Sequence, residues 1–457
     1  MYALGHQIQE MTQQNSTKLM HETNHCEETL HGRSCLTVPV ENKDNTVWSM
    51  YQDLSEVNTL GNNKFVAPRP PHYSLFPALA ESLVTDIHYK IPDNYLIGAG
   101  DTYFSGKMLA KLGRILVISR ELKALCSGNT HGMYSENNLD YRNIRMSCKK
   151  IKHQLPSDED VQAAVDELQK GVEIWLNGKS EAIFAYDSQW GGLVNCGCSF
   201  DFGHCDNVFP DCPALNDPGA NFGQGFYNDH HFHQGYHVYA AAILASFDPT
   251  WGRDYFENVV ALIRDFANPS SEDPFFTTFR HKDWYLGSSW ASGIATLGGN
   301  PYSNGRNQES SSEAIAAYEA IGMYGSIMTD VWNNFDSKGS TRVENIERSL
   351  NIRDVGRILT ATEVNAASRY WHITRSKNGH NDIYPDNYGQ SAVGMLWNTM
   401  AQFQTWFGNL PFEVYGIQLL PVTPISEAVY DVDWVQELYP SLAKSCEADE
   451  RCTEQGW

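Results

Sequence analysis

The sequence predicts a mostly α-helical protein whose helical hairpins are arranged as a toroid, and three observations lead there. Apolar residues recur at three- and four-residue spacing in one stretch after another. No convincing strand run interrupts them. The connections are rich in Gly, Pro and Asn and very uneven in length, which suits loops gathered over one face to line a cleft better than the tight turns of a simple bundle.

Taken in order, residues 1–75 are polar and irregular and end in APRPPHY, whose prolines mark a linker. The stretch GKMLAKLGRILVISRELKAL (106–125) reads as an amphipathic helix, and so does SDEDVQAAVDELQKGVEIWL (157–176), which opens with Ser157 as N-cap and an acidic first turn. Further helices are expected over 236–247, 252–267, 309–329, 359–374 and 391–406. The apolar run VYAAAILASF falls short of the roughly 20 residues of a membrane span and stops at Asp248-Pro249.

Composition narrows the function. A chain of 457 residues with a net charge of -22 repels nucleic acid and anionic lipid, so neither is an expected partner and a neutral substrate is favoured. Its 12 Trp, 23 Tyr and 20 Phe supply many flat apolar faces. The start, MYALGHQIQEMTQQ, carries neither a basic leader nor an apolar segment, so no secretory signal is read there. Cys196, Cys198, Cys205 and Cys212 crowd into one loop with no standard zinc spacing, which favours a disulfide-pinned loop over a zinc site. Cys26 with Cys35, Cys126 with Cys148 and Cys446 with Cys452 are close pairs that favour an oxidising compartment.

Three constellations are candidates for chemistry. In NDHHFHQGYHVYAAA (228–242), His233 and His237 have the i, i+4 spacing of a metal pair, but Gly235 interrupts the span and no HExxH motif accompanies it. Structural histidines and hydrogen bonding to a sugar or carboxylate stand beside that reading. Asp229 is either an N-cap or an acid aimed into a pocket. In GRNQESSSEAIAAYEA (305–320), Glu309 and Glu313 are four apart and would share a helix face, where one carboxyl raises the pKa of the other. The plain alternative is a solvated helix start. Finally, FRHKDWYLGSSWASG (279–293), AYDSQWGGLVN (185–195) and YWHITRSKNGHNDIYPDNYG (370–389) each mix Trp or Tyr with Asp, Asn and His in Gly-broken loops. Aromatic rings stack on pyranose faces while amides and carboxyls bond hydroxyls, so together these loops point to a glycan cleft. No phosphate loop, GxSxG elbow or dinucleotide fingerprint occurs.

These residues resemble glycoside hydrolase family 81, the endo-β-1,3-glucanases. The resemblance rests on YNDHHFHQGYHVYAAA, RDFANPS, FRHKDWYLGSSWASG, GRNQESSSEA, ATEVNAASRYW and YGIQLLPVTP, in that order from about residue 85 to 425. It implies an (α/α)6 toroid over 76–457, preceded over 1–75 by the remnant of a β-sandwich and its linker. It also implies hydrolysis of β-1,3-glucan with inversion, with Asp229 protonating the leaving oxygen and Glu309 or Glu313 activating water. Glu313 is expected as the base, with Glu309 orienting the water or the sugar. His233, Tyr236 and Asn307 fall at positions that look like substrate contacts, and Asp283, Trp284 and Trp190 in the aromatic loops are further candidates. No metal or cofactor is implied, and an extracellular or cell-wall monomer is expected. Gln234 stands where the family usually has Tyr, and GSSW replaces GHSW, so one contact is altered. The alternative is a protein that binds or senses β-glucan without cleaving it.

Overall fold

The computed structural model describes residues 26–29, 32–35 and 71–454, apart from 128–138, 202–203, 206–208, 295, 298–299, 336–338 and 376–382. Over this range the protein is mostly helical. In order come α1 (Phe76–Asp86), α2 (Thr102–Cys126), α3 (Leu139–Ile151), α4 (Asp158–Leu176), α5 (His230–Phe247), α6 (Pro249–Asp254) and α7 (Phe256–Ala267). They are followed by α8 (Ser311–Asn333), α9 (Ser340–Tyr370), α10 (Pro411–Leu419), α11 (Ser426–Val429), α12 (Val432–Ala448) and α13 (Arg451–Glu454).

Local chemistry sets the ends. Ser157 caps α4 as expected: its Oγ accepts the Asp160 N–H at 3.1 Å, and Asp160 accepts the Ser157 N–H at 3.0 Å. The expected helix at 252–267 is divided at Tyr255 into α7 and the short α6, which Pro249 opens and Asp248 caps through two N–H groups at 2.9 and 3.0 Å. The expected start of α8 also moves. Ser310 accepts the Glu313 N–H and is the N-cap, so Glu309 precedes the helix and does not share its face with Glu313.

Helix α5 lies at the centre. From His230 to Ala245 it is buried on every side, as a core helix must be, and α2, α4, α6, α7 and α8 pack around it. Small residues let it be approached closely: a Cβ at Gly235 would sit 2.4 Å from the Ala317 Cβ of α8, and one at Gly113 of α2 would sit 2.8 Å from Ile243. Full burial of side chains such as Ile243 and Leu244 contributes about 1.5–3 kcal/mol each.

Several expectations are corrected. Helix α5 begins at 230 rather than 236, and the expected 359–374 helix is the last part of the 31-residue α9. The 391–406 segment is no helix. It holds β10 (Met395–Trp397) and β11 (Ala401–Gln402), because Gly394 lies too close to the Gln404 backbone for any Cβ and Met395 and Trp397 alternate inward. Strand β9 (Asn307–Gln308) completes that sheet, and a hairpin of β3 (Phe184–Asp187) and β4 (Gly192–Asn195) carries Trp190 at its tip. Helices α1, α3, α10 and α12 were not anticipated.

The β-sandwich remnant expected before residue 75 falls largely outside the described residues, where only the hairpin of β1 (Cys26–Thr29) and β2 (Gly32–Cys35) is seen. Disulfides join Cys126 to Cys148, Cys196 to Cys212, Cys198 to Cys205 and Cys446 to Cys452, so the crowded loop holds bonded cysteines rather than zinc thiolates. Among the described residues no helix is long and apolar enough to cross a membrane.

The α8–α9 contact offers a stability test. A Cβ at Gly356 would lie 2.2 Å from the Gly322 backbone nitrogen, whereas one at Gly98 meets nothing nearer than 4.0 Å. Overpacking costs about 1–3 kcal/mol, which outweighs the gain of about 1 kcal/mol from replacing a helical glycine by alanine. Gly356→Ala is therefore expected to lower the thermal midpoint while Gly98→Ala leaves it near that of the wild type. An unchanged midpoint in Gly356→Ala would contradict the close packing.

Candidate active site

Asp229 enters the site on an unusual backbone. Its φ is 59°, in the left-handed region, and Asn221, Phe222 and Tyr227 on the approach are left-handed as well. Its N–H donates to the Ala291 carbonyl at 2.9 Å, and its carbonyl accepts the first helical bond of α5 from His233 N–H at 3.0 Å. The side chain makes no cap hydrogen bond, so the N-cap reading fails. The carboxyl is half-buried, and no described residue hydrogen-bonds it. Burial, reinforced by the charges of Glu309 and Glu313, raises its pKa well above the ordinary value.

The two glutamates stand in different surroundings. Glu313, 4% exposed, accepts on one oxygen, Oε1, from Tyr103 Oη at 2.8 Å and Tyr236 Oη at 2.5 Å. Lys107 Nζ is 3.6 Å from that oxygen and donates to the Tyr103 hydroxyl at 2.9 Å. Glu309 is half-buried, and its Oε1 accepts the Trp406 N–H at 2.7 Å. Burial pushes its pKa up to about 7, against the Trp406 bond; the Glu313 charge adds to the rise and Lys107 opposes it.

The histidines prove to be core groups. His233 Nδ1 meets Thr102 Oγ1 at 2.6 Å, and His237 Nε2 donates to the Thr102 carbonyl at 3.1 Å. Burial holds His237 down to about 4 and His231 down to about 3, and it lowers His233 well below the ordinary value, so these rings are neutral at physiological pH. His230 pairs with Asp265 at 2.5 Å, and Gln234 donates to the same Asp265 oxygen at 2.8 Å. Among the described residues no three His, Cys, Asp or Glu side chains gather as a metal site requires.

Asp229, Glu309, Glu313 and Tyr236 thus come together. His233 stands just behind them, 1% exposed, and Asn307 is equally enclosed. Asp283 is engaged in its own loop: it accepts from Tyr285 and Leu286 N–H on Oδ1 and from Trp290 Nε1 on Oδ2. Trp190 and Trp284 remain 56% and 45% exposed, with Lys282 Nζ 5.8 Å from the Trp284 ring centroid. The sequence reading missed Tyr103 and Lys107, which lie at the start of a helix read only for its apolar face. It also missed Tyr302, whose hydroxyl feels the Asp229 charge, and Trp406, which rests 6.0 Å from the Tyr302 ring. Tyr302 lies in a segment without periodicity, and Trp406 ends the 391–406 stretch that the sequence reads as a helix.

Residues 126–457 match the model of the Glycosyl hydrolase family 81 C-terminal domain. The chain belongs to glycosyl hydrolase family 81. Among its relatives, a glucan endo-1,3-beta-D-glucosidase of Glycine max is 30% identical over 353 residues, covering 76% of this chain and 41% of that protein. A protein of the same name from Acetivibrio thermocellus is 30% identical over 351 residues, covering 76% of this chain and 35% of that protein. A solved mutant structure of a family 81 glycoside hydrolase from Clostridium thermocellum aligns with a TM-score of 0.55 at 25% identity, over 93% of this chain and 46% of that one. This chain therefore spans less than half the length of these proteins.

The raised Glu309 pKa has a consequence for stability. With a folded value of about 7 against an ordinary 4.5, the native state holds a proton that the unfolded chain releases, so stability falls as pH rises between these values. Glu309→Gln has no proton to lose and keeps an oxygen for the Trp406 N–H. Calorimetry is expected to show a higher midpoint for the variant than for the wild type at pH 8, with the difference closing towards pH 4. A variant less stable at both pH values would contradict the burial argument.

Proposed function

We propose that this chain hydrolyses internal (1→3)-β-D-glucosidic bonds of β-1,3-glucan with inversion at the anomeric carbon, through Asp229 as general acid and Glu309 as general base. One observation carries the reading: Asp229, from the loop before α5, lies near enough to Glu309 and Glu313, just before and within the first turn of α8, that burial and then their charges raise its pKa. An inverting hydrolase needs such a protonated carboxyl on one side of the sugar, and an ionised one about 6.5–9.5 Å away with a water between them. Family membership and the names of the relatives support the substrate.

The proposal reverses the expected roles of the glutamates. Glu313 is almost sealed and its Oε1 is shared by two tyrosine hydroxyls and Lys107, which suits an anchor for the floor of the site. Glu309 is more open and no described residue hydrogen-bonds its Oε2, so this oxygen is available to a water. In the proposed step, Asp229 donates its proton to the glycosidic oxygen as the C1–O bond breaks. Glu309 takes a proton from the water that attacks C1 from the opposite face. Trp190, Trp284 and Trp406 offer faces for glucose rings. Tyr236 acts through Glu313, while His233, Asn307 and Asp283 shape the walls.

The same proposal includes an (α/α)6 toroid over 76–457, a β-sandwich remnant over 1–75, and a monomer working outside the cell or in the cell wall. The four disulfides support an oxidising setting.

The test is hydrolysis of laminarin followed by proton NMR. The wild type is expected to release short oligosaccharides whose first-formed reducing ends are α. Asp229→Asn is expected to lose about 10²–10⁴-fold in rate with no loss of thermal stability. First-formed β ends would exclude inversion, and tight binding without turnover would favour a glucan-binding protein.

A further inference from the structure

The loop between α7 and α8 ties the two halves of the site together. Residues 281–290 fold back on themselves, with Lys282 bridged to Ser289 and the Trp290 N–H donating to the His281 carbonyl at 2.9 Å. The next residue reaches both ways. Ala291 accepts the Asp229 N–H at 2.9 Å on its carbonyl and donates its own N–H to the Asn307 carbonyl at 2.8 Å. Ser292 doubles the second link: its N–H reaches the same carbonyl at 3.3 Å, and its Oγ accepts the Asn307 N–H at 3.0 Å. Asn307 lies two residues before Glu309, so a single backbone residue connects the acid to the strand that delivers the base.

A buried ion pair holds this loop. Lys282 Nζ and Glu363 Oε2 are 2.8 Å apart with both side chains fully buried. Lys282 also donates to the Gly287 carbonyl at 2.6 Å, and Glu363 accepts the Ser289 N–H and Oγ–H, each at 3.0 Å. The Ser289 hydroxyl meets Tyr318 Oη of α8 at 2.6 Å. A buried pair seldom adds stability over apolar packing of similar volume, because the desolvation of two charges offsets their attraction. What this one supplies is a single geometry. It fixes the loop against α9 and α8 at the point where the loop meets both Asp229 and Asn307.

We propose that Lys282 and Glu363 are positioning residues that set the separation of Asp229 and Glu309 through the Ala291 backbone. The proposal rests on the reading of those two carboxyls as acid and base. Both side chains are fully buried, and Lys282 Nζ lies 5.8 Å from the Trp284 ring centroid, so their loss acts on the geometry of the acid and base and, secondarily, on that one stacking face.

The experiment is the double variant Lys282→Met/Glu363→Gln. Methionine fills the lysine stem, and glutamine keeps an acceptor for the Ser289 N–H, so the protein still folds. On laminarin its kcat is expected to fall roughly 10–100-fold, the scale of a small misplacement of catalytic groups, a larger factor than any rise in KM through the Trp284 face. Hydrogen exchange at the amides of Asp229 and Ala291 is expected to quicken. Wild-type kcat, or a kcat loss that follows a lowered thermal midpoint with exchange at those two amides unchanged, would overturn the proposal. The exchange measurement needs no substrate, so it tests the inference even if the wild type cleaves no glucan.

Discussion

The arrangement depends on a hydrogen bond that keeps an aspartate where its own backbone would not place it. A left-handed φ is unfavourable by about 1–2 kcal/mol for most residues, less for Asp, and it persists where surrounding structure over-determines it. At Asp229 the Ala291 carbonyl and the first turn of α5 do so together. The outcome is a carboxyl turned away from the helix N–H groups that would otherwise have capped it. It remains partly desolvated beside two other acids, and the same geometry raises its pKa.

Burying three carboxyls near one another is costly, and the surroundings distribute that cost unevenly. Glu313 receives two phenolic hydroxyls and an ammonium group, Glu309 receives one backbone N–H, and Asp229 receives none. Burial raises the pKa of both Asp229 and Glu309, and at Glu309 the Trp406 bond opposes that rise. Three histidines of α5, His231, His233 and His237, are kept neutral by burial, while His230 is bonded to Asp265 and to the Gln224 carbonyl.

Much of this was legible in the sequence where a local rule decided the outcome. The apolar spacing of 106–125 and the Ser157 cap read correctly because both are settled within a turn or two of helix. Asp229 was a candidate beside the histidines of 228–242, and Glu309 and Glu313 were candidates because they stand four apart. Their relation was misread at Glu309: SSSEA extends a helical pattern back through it, yet the Ser310 cap and the pairing of Asn307–Gln308 with Leu396 and Trp397 place it on a strand end. The 391–406 segment failed for a similar reason, since its partner strand lies about ninety residues upstream. Tyr103, Lys107 and Trp406 reach the site through tertiary packing that no spacing announces.

A central core helix, loops bound to its start, and acids with unequal hydrogen-bond partners suit the proposed cleavage of a glycosidic bond, and family 81 membership supports β-1,3-glucan as the proposed substrate. The most direct test is a crystal structure of Asp229→Asn with a β-1,3-linked gluco-oligosaccharide bound. The account predicts residue 229 within hydrogen-bond reach of a glycosidic oxygen, and a water on the opposite face of the sugar between C1 and Glu309. The two side chains should stand about 6.5–9.5 Å apart. A sugar chain seated away from these residues, or both carboxyl positions on one face of the ring, would contradict it.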